Sequence, residues 1–148
     1  MKKIIIGVIV VVVIFAGLLL IARTFYPTNI AATAPDHAEE NLRTRRFKTD
    51  LKTFTAETQK IILTLSTWGK NWKYIAADES ENSAIIKAEV PVVVFTDDLQ
   101  IKAEKDAASG EIIINVRSNS RVGKSDFGEN RRHLLQILEA LDAKFKGD

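Results

Sequence analysis

Residues 84–118 read AIIKAEVPVVVFTDDLQIKAEKDAASGEIIINVRS, and this stretch decides the fold. Ala84, Ile86, Ala88 and Val90 alternate with larger or charged neighbours, the period-two pattern of a strand with one covered face. Pro91 has no N–H to give a ladder, so it marks an edge or a bulge. Val92 to Phe95 is continuously apolar and either extends that strand or crosses into the next. Leu99, Ile101 and Ala103 alternate with Gln100, Lys102 and Glu104. A turn through Asp106 to Gly110 leads to Glu111–Ser118, where Ile112, Ile114 and Val116 share a face.

Outward from this run the pattern changes period. Upstream, Trp72 to Ala76 alternates as a strand, followed by turn residues from Asp78 to Asn82. Before it, Leu51, Phe54, Ile61, Ile62, Leu65 and Trp68 recur at helical spacings, which predicts a helix from near Thr55 to Gly69. Downstream, Asp126 followed by Glu129 has the spacing of a capping box. Phe127, Leu134, Leu138, Leu141 and Phe145 form an apolar stripe that Gly147 ends. Strands grouped together with helices outside them predict an α+β fold, a small antiparallel sheet of about four strands flanked by two helices packed on one face. Phe54, Trp68 and Trp72 are expected in its core.

The N-terminus is a different material. Residues 4–22, IIIGVIVVVVIFAGLLLIA, contain no charged, hydroxyl or amide side chain. As a helix they span about 28 Å, close to the roughly 30 Å hydrocarbon core of a bilayer. Lys2 and Lys3 precede the run and Arg23 follows it, so the positive-inside bias predicts a cytoplasmic N-terminus and an extracytoplasmic domain. The expected location is the cell inner membrane, with the bilayer as partner through Ile4–Ala22. Secretion after signal-peptide cleavage is the alternative. Against it, the apolar run is longer than a signal peptide's core, and the small-residue site Ala32-Thr33-Ala34 is followed by Pro35.

The expected division is an anchor at 1–23, a Pro/Ala/Thr tether at 24–40 and a globular domain at 41–148. Phe25 and Tyr26 suit the membrane interface, and His37 is expected solvated in the tether. Of 148 residues, 46% are hydrophobic and 27% charged, an ordinary globular balance. Taking Lys2, Lys3 and Arg23 from the formal charge of +2 leaves −1, which excludes a globally basic nucleic-acid binder. The absence of cysteine excludes disulfides, thiol catalysis and lipidation on cysteine. Arg43, Arg45, Arg46, Lys48 and Lys52 form a basic cluster that could touch acidic headgroups, with a solvated face or an edge strand as the commoner outcome.

Chemistry concentrates between the last strand and the last helix. The run SNSRVGKSDFGENRRH at 118–133, supported upstream by FTDD at 95–98, resembles the domain of unknown function family 1499 (DUF1499), over roughly Asn41 to the C-terminus. The resemblance implies a membrane-associated or exported bacterial protein and carries no activity. In the run itself, Arg121, Lys124, Ser125, Arg131 and Arg132 gather at a helix start, where free N–H groups and the helix dipole favour an anion. In the competing reading, Asp97, Asp98, Asp126 and Glu129 neutralise these cations internally, with Arg121 bridging to the carboxylates of FTDD.

Other chemistries find less support. Gly123-Lys124-Ser125 is not a phosphate-binding P-loop, since Ser118 stands where that motif needs glycine. Adjacent Asp97 and Asp98 point to opposite faces of a regular strand and could chelate one metal together only if a bulge turned one. A turn with one salt bridge is expected there. Glu129 and His133, four apart on a helix, offer two metal ligands without a third, so an exposed helical pair is expected. No cofactor motif is present. Ser118, Ser120 and Ser125 have only His133 as a base, and neither G-x-S-x-G nor H-E-x-x-H occurs. The expected function is a non-enzymatic domain binding an anionic ligand or an envelope protein through 121–132. The alternatives are a hydrolase using His133 with Asp126 or Asp98, and a scaffold with an exposed apolar patch at Val92 to Phe95.

Overall fold

The computed structural model describes residues 2–25, 28–124 and 126–146. Helix α1 (Lys2–Phe25) contains the apolar window Ile4–Ile21, and no residue of that window is buried by the rest of the chain. An apolar helix of this length without protein cover fits a membrane anchor or a signal sequence. The expectation for Phe25 and Tyr26 lies outside the described side chains.

The chain then forms β1 (Ile30–Ala32), a 3-10 turn at Glu40–Leu42, β2 (Arg45–Phe47), α2 (Leu51–Thr64), and a small hairpin of β3 (Ser66–Thr67) and β4 (Lys70–Asn71). It continues as β5 (Lys73–Glu79), β6 (Ser83–Val92), β7 (Phe95–Lys105), β8 (Ile112–Ser120) and α3 (Glu129–Phe145). The fold is α+β, as the alternation predicts. Its antiparallel sheet runs β1-β8-β7-β6-β5, with β2 also paired to β8, so it has six strands rather than four.

The two additional strands come from residues too short in pattern to read. Ile30–Ala32 pairs with 117–119 and Arg45–Phe47 with 112–114, so one interrupted strand lines the outer edge of β8. The expected tether at 24–40 is therefore partly sheet. Between the halves, residues 33–44 loop out and return. Both ends of that loop are tied to Asn115, whose Oδ1 accepts from Thr44 at 2.7 Å and Thr33 at 3.4 Å. His37, expected solvated, is half-buried here, and its Nδ1 accepts from the Glu39 N–H. Two members of the basic cluster are ion-paired, Arg45 with Asp142 and Arg46 with Asp106.

Register explains the core. Ala84, Ala103 and Ile114 lie in one row; Ile86, Ile101 and Val116 in the next; Ala88, Leu99 and Ser118 in a third. All nine side chains are buried. Both α2 and α3 cover this face. At the far end Phe47, Phe54 and Phe145 form a ring cluster with centroids 5.2–6.1 Å apart. Pro91 sits in β6 beyond Lys73–Glu89, the last pair with β5, so its missing N–H faces no partner strand. The run Val92 to Phe95 crosses from β6 into β7, with Val93 and Val94 as the turn between them.

Helix α2 starts at Leu51, four residues before the expected Thr55, because Asp50 caps it by accepting from Thr53 N at 2.9 Å. Those bonds also lower the Asp50 carboxyl below its ordinary value, the Thr53 hydroxyl first and the Thr53 N–H second. Asp50→Ala is expected to lower the melting temperature by roughly 4 °C in a thermal scan. An unchanged melt would mean the first turn is held by packing alone. The helix stops at Thr64 rather than Gly69, and Trp68 turns the hairpin instead of joining the core. Phe54 and Trp72 are buried as expected, whereas Trp68 is 56% exposed.

Candidate functional site

The apolar rows of the sheet end in a polar one. Beyond Ala88, Leu99 and Ser118 comes the row Val90, Asp97 and Ser120. Helix α3 changes in the same place. Its buried stripe of Leu134, Ile137, Leu138 and Leu141 continues toward the N-terminus as His133 and Asn130. Three elements thus become polar together, and five of their polar side chains meet under the start of α3.

Asn130 is the hub. Its Oδ1 accepts from Ser118 Oγ at 2.5 Å, and its Nδ2 donates to Ser120 Oγ and to the Asn29 carbonyl, both at 2.9 Å. Its own N–H donates to Asp126 at 2.7 Å, and that carboxylate also accepts from Gly128 N at 3.0 Å. Asp126 therefore serves the first turn of α3 as expected, but from two residues before Gly128, which takes the N-cap position with φ 86. Because Gly128 and not Asp126 is the N-cap, the Asp126–Glu129 spacing does not give the expected capping box.

Asp97 and His133 lie deeper. The side chain of His133 is fully buried and that of Asp97 is 3% exposed, with His133 Nδ1 3.6 Å from Asp97 Oδ2. On its other side His133 Nε2 is 3.7 Å from Glu129 Oε2. Neither separation is a hydrogen bond, so both imidazole nitrogens and Asp97 Oδ2 stay unsatisfied. Burial, followed by the charge of Arg132, lowers the His133 pKa to about 4. Burial also raises that of Asp97, against a hydrogen bond from Ser120 that lowers it. Burial thus works against the charged form of both groups. Its wall is the Trp72 ring, edge-on to His133 at 6.0 Å, with the indole N–H bonded to Thr67. The exposed Glu129–His133 pair expected from spacing is instead an interior one.

The cations of 121–132 are placed as follows. Arg121 reaches across the opposite face of the sheet to Asp98 and Glu89, each at 2.6 Å. Those two carboxylates raise its pKa above the ordinary arginine value. Asp97 and Asp98 do point to opposite faces, and the expected bridge from Arg121 to FTDD forms through Asp98. Arg131 binds Glu39, whose pKa falls mainly through that hydrogen bond. Arg132 binds Glu129 at 2.5 Å and lies over the Trp68 ring, 5.1 Å from its centroid. Trp68 Nε1 donates to the same Glu129 oxygen at 3.4 Å. Lys124 is exposed, while Ser125 lies outside the described residues. Phe127, expected in the apolar stripe, is 54% exposed with φ 54. Among the described residues no three His, Asp or Glu side chains gather as a metal site.

Sequence reasoning passed over Asn130, Asn29, Glu39, Glu89 and the surface role of Trp68. For Asn130 a signal existed: it falls three and four residues before His133 and Leu134, on the buried stripe. Ser118 and Ser120 likewise continue the inward face of Ile112, Ile114 and Val116. Glu39 and Glu89 carry no comparable mark.

A search of curated proteins returned no match. A family model described as "Protein of unknown function (DUF1499)" matches residues 22–141, which takes in the edge strand β1, the hub and most of α3. The chain belongs to the DUF1499 family.

Proposed function

We propose that this chain is a single-pass, membrane-anchored envelope protein whose domain is a non-enzymatic binding module. In this reading the N-terminus is cytoplasmic, the domain extracytoplasmic, and the contact surface is the loop and helix start at 121–132 with Trp68 beside it. One observation carries it. The arginines of that segment and Glu129 are ion-paired, whereas Val122, Lys124 and Phe127 face solvent. A surface of apolar and cationic side chains suits contact with an anionic, partly apolar ligand.

Thermal unfolding of the full chain in neutral detergent, with and without glycerol phosphate, tests this. Saturating ligand is expected to raise the melting temperature by several degrees. Lys124→Ala should abolish that rise and leave the unliganded melt unchanged, since Lys124 makes no described contact. If phosphate gives no shift, the module's ligand is not a phosphate anion. A hydrolase is the second reading, favoured by the unbonded Asp97–His133 pair. It requires that pair to open to substrate, and its signature would be an activity lost in His133→Ala.

A further inference from the structure

Three described residues other than glycine have positive φ: Trp68 at 53, Val93 at 25 and Phe127 at 54. Such a backbone is uncommon for any side chain with a Cβ and a real outlier for a β-branched one. All three are large, apolar and more than half exposed. Each occupies a different turn, so the strained backbone displays an apolar side chain three separate times. With Val94 at 78% exposed, Phe95 at 55% and Val122 at 60%, they make up a rim of bare apolar side chains.

The contacts place this rim at one end of the domain. Trp68 touches Glu129 and Arg132 at the start of α3, beside Phe127. Lys70 Nζ donates to the Val93 carbonyl at 2.9 Å, joining the β3–β4 hairpin to the β6–β7 turn. Val122 lies in the loop that Asn29 holds, its Nδ2 donating to the Gly123 carbonyl at 2.8 Å. Asn29 is also where the chain arrives from α1, which ends at Phe25. Four residue steps reach at most about 14 Å. That is enough to cross one headgroup layer of about 7 Å, since two such layers make up the difference between a hydrocarbon core of about 30 Å and a whole bilayer of about 45 Å.

We propose that the rim of Trp68, Val93–Phe95, Val122 and Phe127 rests in the headgroup layer of the membrane that α1 enters. The proposal rests on the reading of α1 as an anchor, and it assigns the surface at 121–132 to lipid. Indole and phenyl rings favour that layer, and Lys70 and Lys124 at the same rim suit lipid phosphates. The domain then stands on the bilayer with the Ser80–Ser83 and Asp106–Gly110 turns pointing away.

The chain has no cysteine, so single cysteines can carry an environment-sensitive fluorophore. The full chain is reconstituted in mixed phosphatidylethanolamine–phosphatidylglycerol vesicles as Val94→Cys, Val122→Cys, Ala107→Cys and Val10→Cys. Labels at 94 and 122 are expected to brighten several-fold over the label at 107 and to be quenched by nitroxide placed at headgroup depth. The label at 10 should be quenched by nitroxide deep in the acyl chains. If 94 and 122 behave like 107 while 10 is deep, the docking proposal is overturned and the anchor reading stands. If 10 itself is aqueous, the anchor reading fails and the docking proposal falls with it.

Discussion

Replacing Asn130 by alanine is expected to remove about 3 kcal/mol of stability and to lower the melting temperature by about 10 °C. The side chain is fully buried, and its truncation ends three hydrogen bonds at once. Ser118, also fully buried, loses its acceptor in a place bulk solvent does not reach. The Asn29 carbonyl keeps one donor, the Ser120 N–H at 2.9 Å, which limits the cost there. A hole the size of an amide adds to the sum. Asn119, one residue from Ser118 in the same run, gives the contrast. It lies on the other face of β8 and its side chain has no described hydrogen bond, so Asn119→Ala should change stability by less than about 0.5 kcal/mol. Denaturant melts of the two variants in parallel decide the matter. Equal losses would mean that the hub is not what holds α3 to β8.

Acidification should unfold the domain through His133, at a cost of about 3 kcal/mol between pH 6.5 and pH 4. Its imidazole is neutral when folded, with the pKa lowered from 6.5 to about 4 by burial first and by Arg132 second, against a smaller opposing pull from Asp126. The unfolded chain takes up its proton near the ordinary value. As pH falls through 6.5 the unfolded state therefore binds more protons, and stability is lost until the folded imidazole titrates as well. Above 6.5 the contribution is fully present. Asp97 works in the opposite sense, since its raised pKa makes the folded state the better proton acceptor and returns some stability at lower pH. Melts of the wild type and His133→Gln across this window separate the two. The variant should lose most of the slope between pH 6.5 and 4, and parallel curves would assign the pH dependence to other groups.

Strands β6, β7 and β8 and both domain helices are legible because their side chains obey one period over seven or more residues. Strand β5 is legible only in part, because a register shift between Tyr74 and Ala76 breaks its alternation. Where the pattern shortens, it stops being a signal. Ile30–Ala32 and Arg45–Phe47 are three residues each, too few to show alternation, and their membership of the sheet is set by pairing with β8. Trp68 was assigned to the core by spacing alone, yet the chain turns at Trp68–Gly69 and sends the ring outward. At the candidate site, the bridge from Arg121 to Asp98 followed from complementary charge across the motif. The burial of His133 did not, because a histidine four residues after a glutamate reads equally well on either face of a helix. What places it inside is the company of Asn130, Leu134 and Ile137, an apolar stripe that turns polar without leaving the core.

The outer edge of β8 has a consequence for the order of assembly. The half of it nearer α3 is covered by β1, and Asn29 beside that strand bonds Ser120 across 91 positions of chain. Chains emerge and fold N-terminus first, so residues 29–32 wait exposed until the last strand exists. Closing so long a loop is a slow step and rewards the chain only when β6, β7 and β8 have already zipped through their local hairpins. The segment nearest the apolar helix is thus the first made and among the last to find its place. Until it does, β8 offers an open ladder to neighbouring copies.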